Sequence, residues 1–243
     1  MDGWFVLHDL RRWRWDRWQE LTPGKKEQLL DRWQDFLEES ERVEGEEGVY
    51  SALYRVVGHK ADFVWVHFRP RVADLLDLER AWERTPAASL SQRTFSYLSV
   101  VELSRHSAPP FPEGVDPMTL PPLRERLVPT IPNYRWICFY PMSKRRGETV
   151  NWYQLTGEER SNYMRGHGAI GRNWADRVKQ IVSGSMGLDD WEWGVSLFAD
   201  EPLWFKKLVY EMRFDPASAL FAEFGPFFIG ERLDQTALRS WLR

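Results

Sequence analysis

Eight of the fifteen prolines, at positions 109, 110, 112, 117, 121, 122, 129 and 132, fall between residues 105 and 133. Proline lacks a backbone N–H and fixes φ, so such a density reads as a long connection rather than a packed element. The stretch divides the 243 residues into halves, 1–104 and 134–243. Each half then has to solve its own folding problem or share one with the other.

Apolar spacing gives both halves the same order of elements. In the first, residues 4–13 read as a strand, and Thr22-Pro23-Gly24 opens a helix carrying Leu29, Leu30, Trp33, Phe36, Leu37 and Val43. Residues 50–57 and 62–68 read as strands joined at Gly58-His59-Lys60, followed by a helix marked by Val72, Leu75, Leu76 and Trp82 and a strand over 95–103. In the second half, 134–140 reads as a strand, 157–181 as mostly helix, 185–188 as a short strand and 191–198 as another. A helix over 202–212 and a strand over 226–233 complete it. The order β-α-β-β-α-β, met twice, is the ferredoxin-like unit. The expected fold is α+β: two tandem ferredoxin-like units merged into one barrel-like body.

Composition removes several function classes. Lys and Arg number 33 against 36 Asp and Glu, a formal net charge of -3, so the chain does not bind nucleic acid by bulk charge. A single cysteine, Cys138, leaves no internal disulfide and no multi-cysteine zinc site. No apolar run approaches a membrane span, and Met1-Asp2-Gly3-Trp4 lacks a signal-peptide pattern, so a cytoplasmic protein is expected. The fourteen tryptophans suit either a large planar ligand or bulky cores and interfaces.

Two patterns are decoys. Gly166-His167-Gly168-Ala169-Ile170-Gly171 matches G-x-G-x-x-G, but helix rather than a strand precedes it. Arg11, Arg12, Arg14 and Arg17 interleave with Trp13, Trp15 and Trp18, which reads as a strand end with packed surface rather than a nucleic-acid platform.

None of the five histidines forms a zinc-type pair. His167 differs from the others because glycines flank it inside a helical stretch, where each costs about 1 kcal/mol relative to alanine. A lone histidine approached closely by something flat suits haem iron, whose porphyrin supplies the other ligands, or it is a packing histidine. In Tyr134–Lys144, alternation puts Tyr134, Trp136, Cys138 and Tyr140 on one face, continued by Met142 and Lys144 if the chain stays extended. Lys144 would then bind a carboxylate and favour loss of the Tyr140 proton, or be an ordinary lysine at a strand end.

Tyr140-Pro141-Met142-Ser143-Lys144, Arg165-Gly166-His167-Gly168, Val178-Lys179-Gln180-Ile181, Asp189-Asp190-Trp191-Glu192-Trp193-Gly194 and the stretch from Phe205 to Phe214 together resemble the coproheme decarboxylases of the Gram-positive type. These belong to the chlorite dismutase-like superfamily. The resemblance covers nearly the whole chain and is densest from Tyr134 to Gly230.

The resemblance implies an enzyme that binds Fe-coproporphyrin III (coproheme), both substrate and redox cofactor, and uses hydrogen peroxide to convert two propionates into vinyl groups. The product is haem b, reached through a three-propionate intermediate. It implies His167 as axial iron ligand, Tyr140 as the radical-forming tyrosine and Lys144 as the lysine needed at the second propionate. Arg126 matches a propionate-binding arginine, Gln180 the distal glutamine and Ser218 a further propionate contact, with Pro141, Met142 and Ser143 on the same binding strand. A neutral Gln180, where chlorite-degrading relatives carry arginine, disfavours chlorite chemistry. His106 stands where relatives often place a tyrosine. A homopentamer is implied, with coproporphyrin ferrochelatase as donor of substrate. The alternative is a haem-binding or haem-transfer protein of the same fold without catalysis.

Overall fold

The computed structural model describes residues 1–103 and 114–242. His106 lies outside the described residues.

The first half runs β1 (Asp2–Trp13), α1 (Trp15–Glu20), α2 (Pro23–Glu41), β2 (Ser51–Val56), β3 (Phe63–Arg69), α3 (Val72–Glu83) and β4 (Ser91–Glu102). After α4 (Pro121–Leu127), the second half runs β5 (Trp136–Lys144), α5 (Gly157–Asn173), β6 (Lys179–Gly184), β7 (Trp193–Ala199), α6 (Pro202–Met212), α7 (Pro216–Ala219), β8 (Ala222–Phe224), β9 (Phe228–Leu233) and α8 (Gln235–Leu242).

The strands pair in the order β7-β6-β4-β1-β3-β2-β9-β5-β8, and β5 also pairs with β7. Eight strands therefore close on themselves, with β8 appended to the end of β5. The first half supplies β4-β1-β3-β2 and the second β9-β5-β7-β6, the same ferredoxin-like order twice. The seams are β4 with β6, at Val100↔Gly184 and Val101↔Ser183, and β2 with β9, from Leu53↔Leu233 to Val56↔Gly230. Closure pairs strand edges that each sheet alone would expose. The fold is α+β, built from two ferredoxin-like units merged into one barrel.

Alternation along each strand sorts the side chains into three layers. Val6, Leu10, Val64, Val66, Phe68 and Tyr97 of the first half meet Ile137, Phe139, Ile181, Phe198 and Phe228 of the second inside the barrel. The outer face of the first sheet, with Leu53, Phe63 and Trp65, is covered by Leu29, Trp33 and Phe36 of α2, Trp82 of α3 and Leu238 of α8. Trp13, Trp18, Trp33, Trp65 and Trp82 are all buried in this layer, so much of the tryptophan excess serves packing.

The outer face of the second sheet is treated differently. Cys138, Tyr140, Val195 and Leu197 pack against Phe205 and Leu208 of α6. However, α5, the topological counterpart of α2, has no buried residue in its 17 positions and rests on α6 and α7. By contrast α2 buries Leu29, Leu30, Trp33, Phe36 and Leu37. One sheet is sealed by its long helix; the other is not.

Three sequence expectations are corrected. The helix expected over 157–181 stops at Asn173, and residues 179–184 are strand β6 in place of the short strand expected over 185–188. The glycines at 166, 168 and 171 weaken the helix, while Ile181 and Val182 favour extended backbone. The proline-rich stretch contains α4, whose first turn accommodates Pro121 and Pro122 and which buries Leu123 and Leu127. Finally, α1, α7, β8 and α8 are short elements that the spacing did not predict.

Candidate functional site

The candidate site lies on the outer face of β5, β7 and β6, beside α5. Register places Cys138, Leu197 and Gln180 in one cross-strand row and Tyr140, Val195 and Val182 in the next. Residues directly paired across strands share a face, so Tyr140 and Gln180 share one. Their strands lie two spacings apart, roughly 10 Å. Strand β5 stays extended through Lys144, which brings Tyr140, Met142 and Lys144 onto one side as alternation predicts. Pro141 and Ser143 are buried, and Met142 is half-buried against the α6 layer.

Tyr140 is buried, its ring stacked on Phe227 at 4.4 Å between centroids. Burial pushes its phenol above the usual range, reinforced by Cys138 and opposed by the Arg213 charge. The expectation that Lys144 favours loss of the Tyr140 proton is therefore overturned. Lys144 is engaged elsewhere, and the phenol holds its proton more tightly than tyrosine in water.

Lys144 is a buried cation. Its Nζ donates to the Ala217 carbonyl at 2.8 Å and lies over the Trp152 ring at 4.5 Å, while its backbone N–H donates to Glu192 Oε2 at 2.7 Å. Burial lowers its pKa to about 8, against the opposing pull of the Asp215 and Glu192 charges.

His167 projects from α5, which opens with a Thr156/Glu159 capping box. Its Nδ1 is 2.9 Å from Oδ2 of Asp215, a buried carboxylate that also caps α7 by accepting from the Ser218 backbone N–H. That contact fixes the ring and leaves Nε2 as the nitrogen for a metal. Ser218 is buried one turn away. Gly171, one turn after His167, lies beside Gln180: a methyl group there would be 3.4 Å from Gln180 Nε2. The histidine helix thus approaches the half-buried Gln180 closely at Gly171.

The structure gathers His167, Ser218 and Lys144 around α7 and sets Tyr140 and Gln180 on the adjoining sheet face. Arg126 sits on the exposed side of α4. Asp215 escaped the sequence reading, and Glu192 entered it only within a motif of the resemblance, without a role. Asp215-Pro216 is a helix-start signal that could have marked α7, although not its contact with His167. Nothing in the spacing distinguished Glu192.

These residues fit a flat, anionic, iron-bearing group. A helix with no buried residue carries an oriented imidazole, and Val182 of the facing sheet is 45% exposed although its row partner Tyr140 is buried. A buried ammonium offers a counter-charge. Among the described residues no three His, Cys, Asp or Glu side chains converge as a metal site, so the remaining ligands of any metal at His167 would come with the group itself.

Comparison with known proteins agrees with this architecture. The profile of the chlorite dismutase family matches residues 26–233. The chain is 43% identical over 243 residues to a Natronomonas pharaonis protein named for heme binding; the alignment covers 98% of this chain and 40% of that protein. It therefore spans about two fifths of that curated relative's length. A solved structure described as a novel heme-binding protein from Thermus thermophilus is 42% identical, with TM-score 0.92 and coverage of 100% of this chain and 96% of that one. A variant of chlorite dismutase from Candidatus Nitrospira defluvii shares the fold at 17% identity, with TM-score 0.78 over 100% of this chain and 96% of the other. With its profile match running from α2 to the end of β9, this chain belongs to the chlorite dismutase family.

Proposed function

We propose that this protein is a hydrogen peroxide-dependent coproheme decarboxylase: it converts two propionates of Fe-coproporphyrin III into vinyl groups, giving haem b through a three-propionate intermediate. The observation that carries the reading is one strand presenting a buried tyrosine and a buried lysine near a helix that carries a carboxylate-oriented histidine. The heme-binding names of relatives at 43% and 42% identity support the ligand class.

His167 Nε2 would hold the iron, and Asp215 keeps the imidazole in the tautomer that exposes that nitrogen. Bound coproheme supplies oxidation by peroxide at its iron. Each cleavage removes one proton, two electrons and carbon dioxide from a propionate, and one peroxide takes up the two electrons with two protons to leave two waters. Tyr140, kept protonated by burial, gives up its proton and electron together and can then accept a hydrogen from the propionate β-carbon. Lys144 anchors the second carboxylate by a charge-assisted hydrogen bond. Gln180 offers a neutral amide on the same sheet face, Ser218 a hydroxyl beside α7, and Arg126 a forked donor for another propionate. Pro141, Met142 and Ser143 shape the wall between Tyr140 and Lys144. The same reading carries a porphyrin site within residues 134–243, a homopentamer, ferrochelatase as donor and a cytoplasmic location.

A second reading, a haem-binding protein without catalysis, is equally compatible with the relatives' heme-binding names. Peroxide titration of the coproheme complex, followed by product mass, separates them: losses of carbon dioxide select the enzyme, bleaching alone the binder. Tyr140→Phe keeps the ring and the Phe227 stack but removes the oxidisable hydroxyl. It is expected to bind coproheme like the parent and yield no haem b; product at the parent's rate would move the radical away from Tyr140.

A further inference from the structure

The turn between β2 and β3, in the first half of the chain, reaches the loop that covers Tyr140. Gly58 bends the chain there with a φ of +96°, a conformation that suits glycine. The tip is tied down on either side: Val57 N–H donates to the Ile229 carbonyl at 2.8 Å, and Arg12 Nη2 to the His59 carbonyl at 2.9 Å. Lys60, next in the turn, extends to the other half of the chain. Its Nζ donates to the Phe227 carbonyl at 2.7 Å and lies over the Phe228 ring at 5.5 Å. Phe227 stands between β8 and β9, just before the ladder with β5 begins at Phe228. Its ring is the one stacked on Tyr140, at 4.4 Å between centroids and 23° between planes.

The same loop is held at its other end by Gly225, whose N–H donates to the Pro141 carbonyl at 2.8 Å. Between these two points packing is incomplete. Phe227 is half-buried and lines, with Val57, Trp136 and Pro202, an open cleft of about 350 Å³. The ring has room to leave Tyr140, and a hydrogen bond from an ionic donor limits how far its backbone can move. We propose that Lys60 is a positioning residue for Tyr140: by holding the Phe227 carbonyl it keeps the Phe227 ring on the phenol, and so fixes the angle of the tyrosine ring and excludes water from that face. This role rests on Tyr140 as the radical-forming residue. It adds that a side chain of the first half serves the chemistry of the second. A tyrosine that gives up a proton and an electron together, then takes a hydrogen from a propionate, works from one orientation. A loosened Phe227 would let that orientation spread and would admit water to the radical.

The test reads Tyr140 in two states of the full chain. In the ligand-free protein carrying isotope-labelled tyrosine, the Tyr140 ring protons are expected upfield, under the Phe227 ring. In the coproheme complex frozen soon after peroxide addition, the hyperfine pattern of the tyrosyl radical reports the ring angle. Lys60→Met is expected to reduce the upfield shift and broaden the radical pattern. It should also lower the haem b formed per peroxide by roughly two- to fivefold, the scale of one exposed hydrogen bond. Lys60→Arg, which keeps an ionic donor, is expected to bring all three back toward the parent. Phe227→Leu removes the stack itself, and adding Lys60→Met to it should change nothing further. Parent-like ring shifts in Lys60→Met, where Phe227→Leu moves them, would overturn the role of Lys60 and leave Tyr140 as the radical site. A radical signal that survives in Tyr140→Phe would instead remove Tyr140 from the reaction, with the ligand-free shifts still reporting whether Lys60 holds the stack.

Discussion

Lys144 shows how burial sets the working range of a single side chain. Its pKa lies near 8 in the folded protein against an ordinary value of 10.5, chiefly because burial disfavours the ammonium. Between these values the unfolded chain binds a proton that the folded one has released, so stability rises with pH across that window. The ligand-free protein is expected to gain thermal stability from about pH 8 toward pH 10, and Lys144→Met to lose that gain; calorimetry over this range checks both. In the coproheme complex, loss of the Lys144 proton removes the counter-charge for a carboxylate, at a pH that the bound carboxylate itself moves upward. Cleavage of the second propionate should therefore decline at alkaline pH sooner than cleavage of the first, read as accumulation of the three-propionate species. Tyr140 and Lys144 were legible as a pair because strand alternation is a local property. That Tyr140 keeps its proton depends on what surrounds it, Phe227 among its neighbours, and no spacing rule conveys that.

At the level of elements, the contrast between α2 and α5 organises the molecule. Packing supplies most of a helix's stability in a protein, and α5 has few buried contacts of its own. Amide hydrogen exchange across 157–173 is expected to be faster than across 23–41 in the ligand-free protein and to slow when coproheme is added; equal protection in both states would argue against the face beside α5 as the binding place. The helix α4 makes a complementary case. Proline counting hid it, since proline is costly inside a helix but well suited to the first turn. Leu123 and Leu127 carry the packing, and Leu127→Ala is expected to cost about 2–4 kcal/mol in a urea titration. Long periodic elements such as α2, α3 and α6 were readable from sequence because one apolar stripe determines each. The short ones, α7 above all, owe their existence to a cap and to neighbours, and it is α7 that joins the lysine to the histidine.

For the whole molecule, closing the barrel traps groups that neither sheet would bury alone. His8, from β1, stacks on Phe139 of β5 at 3.8 Å and shares a 2.8 Å hydrogen bond with Ser196 of β7. Burial lowers its pKa from 6.5 to about 3 and holds His67 well below its ordinary value too. Both must be neutral in the folded state, so their contribution to stability is complete above pH 6.5 and lost as pH falls toward 3. The protein is expected to lose stability steadily between about pH 6.5 and 4, and His8→Gln to lessen the slope; an unchanged slope would place the acid sensitivity elsewhere. The sequence by itself determined the repeated β-α-β-β-α-β order and the face shared by Tyr140, Met142 and Lys144, because periodicity, turn chemistry and alternation act over a few residues. The resemblance added roles for His167, Arg126, Gln180 and Ser218. Only the tertiary structure decided that one sheet is sealed by tryptophans while the long helix of the other buries no residue, and that α7 meets His167 through Asp215 and Lys144 through Ala217. Those outcomes depend on which faces meet when the two sheets close, and that is fixed by packing between residues far apart in the chain.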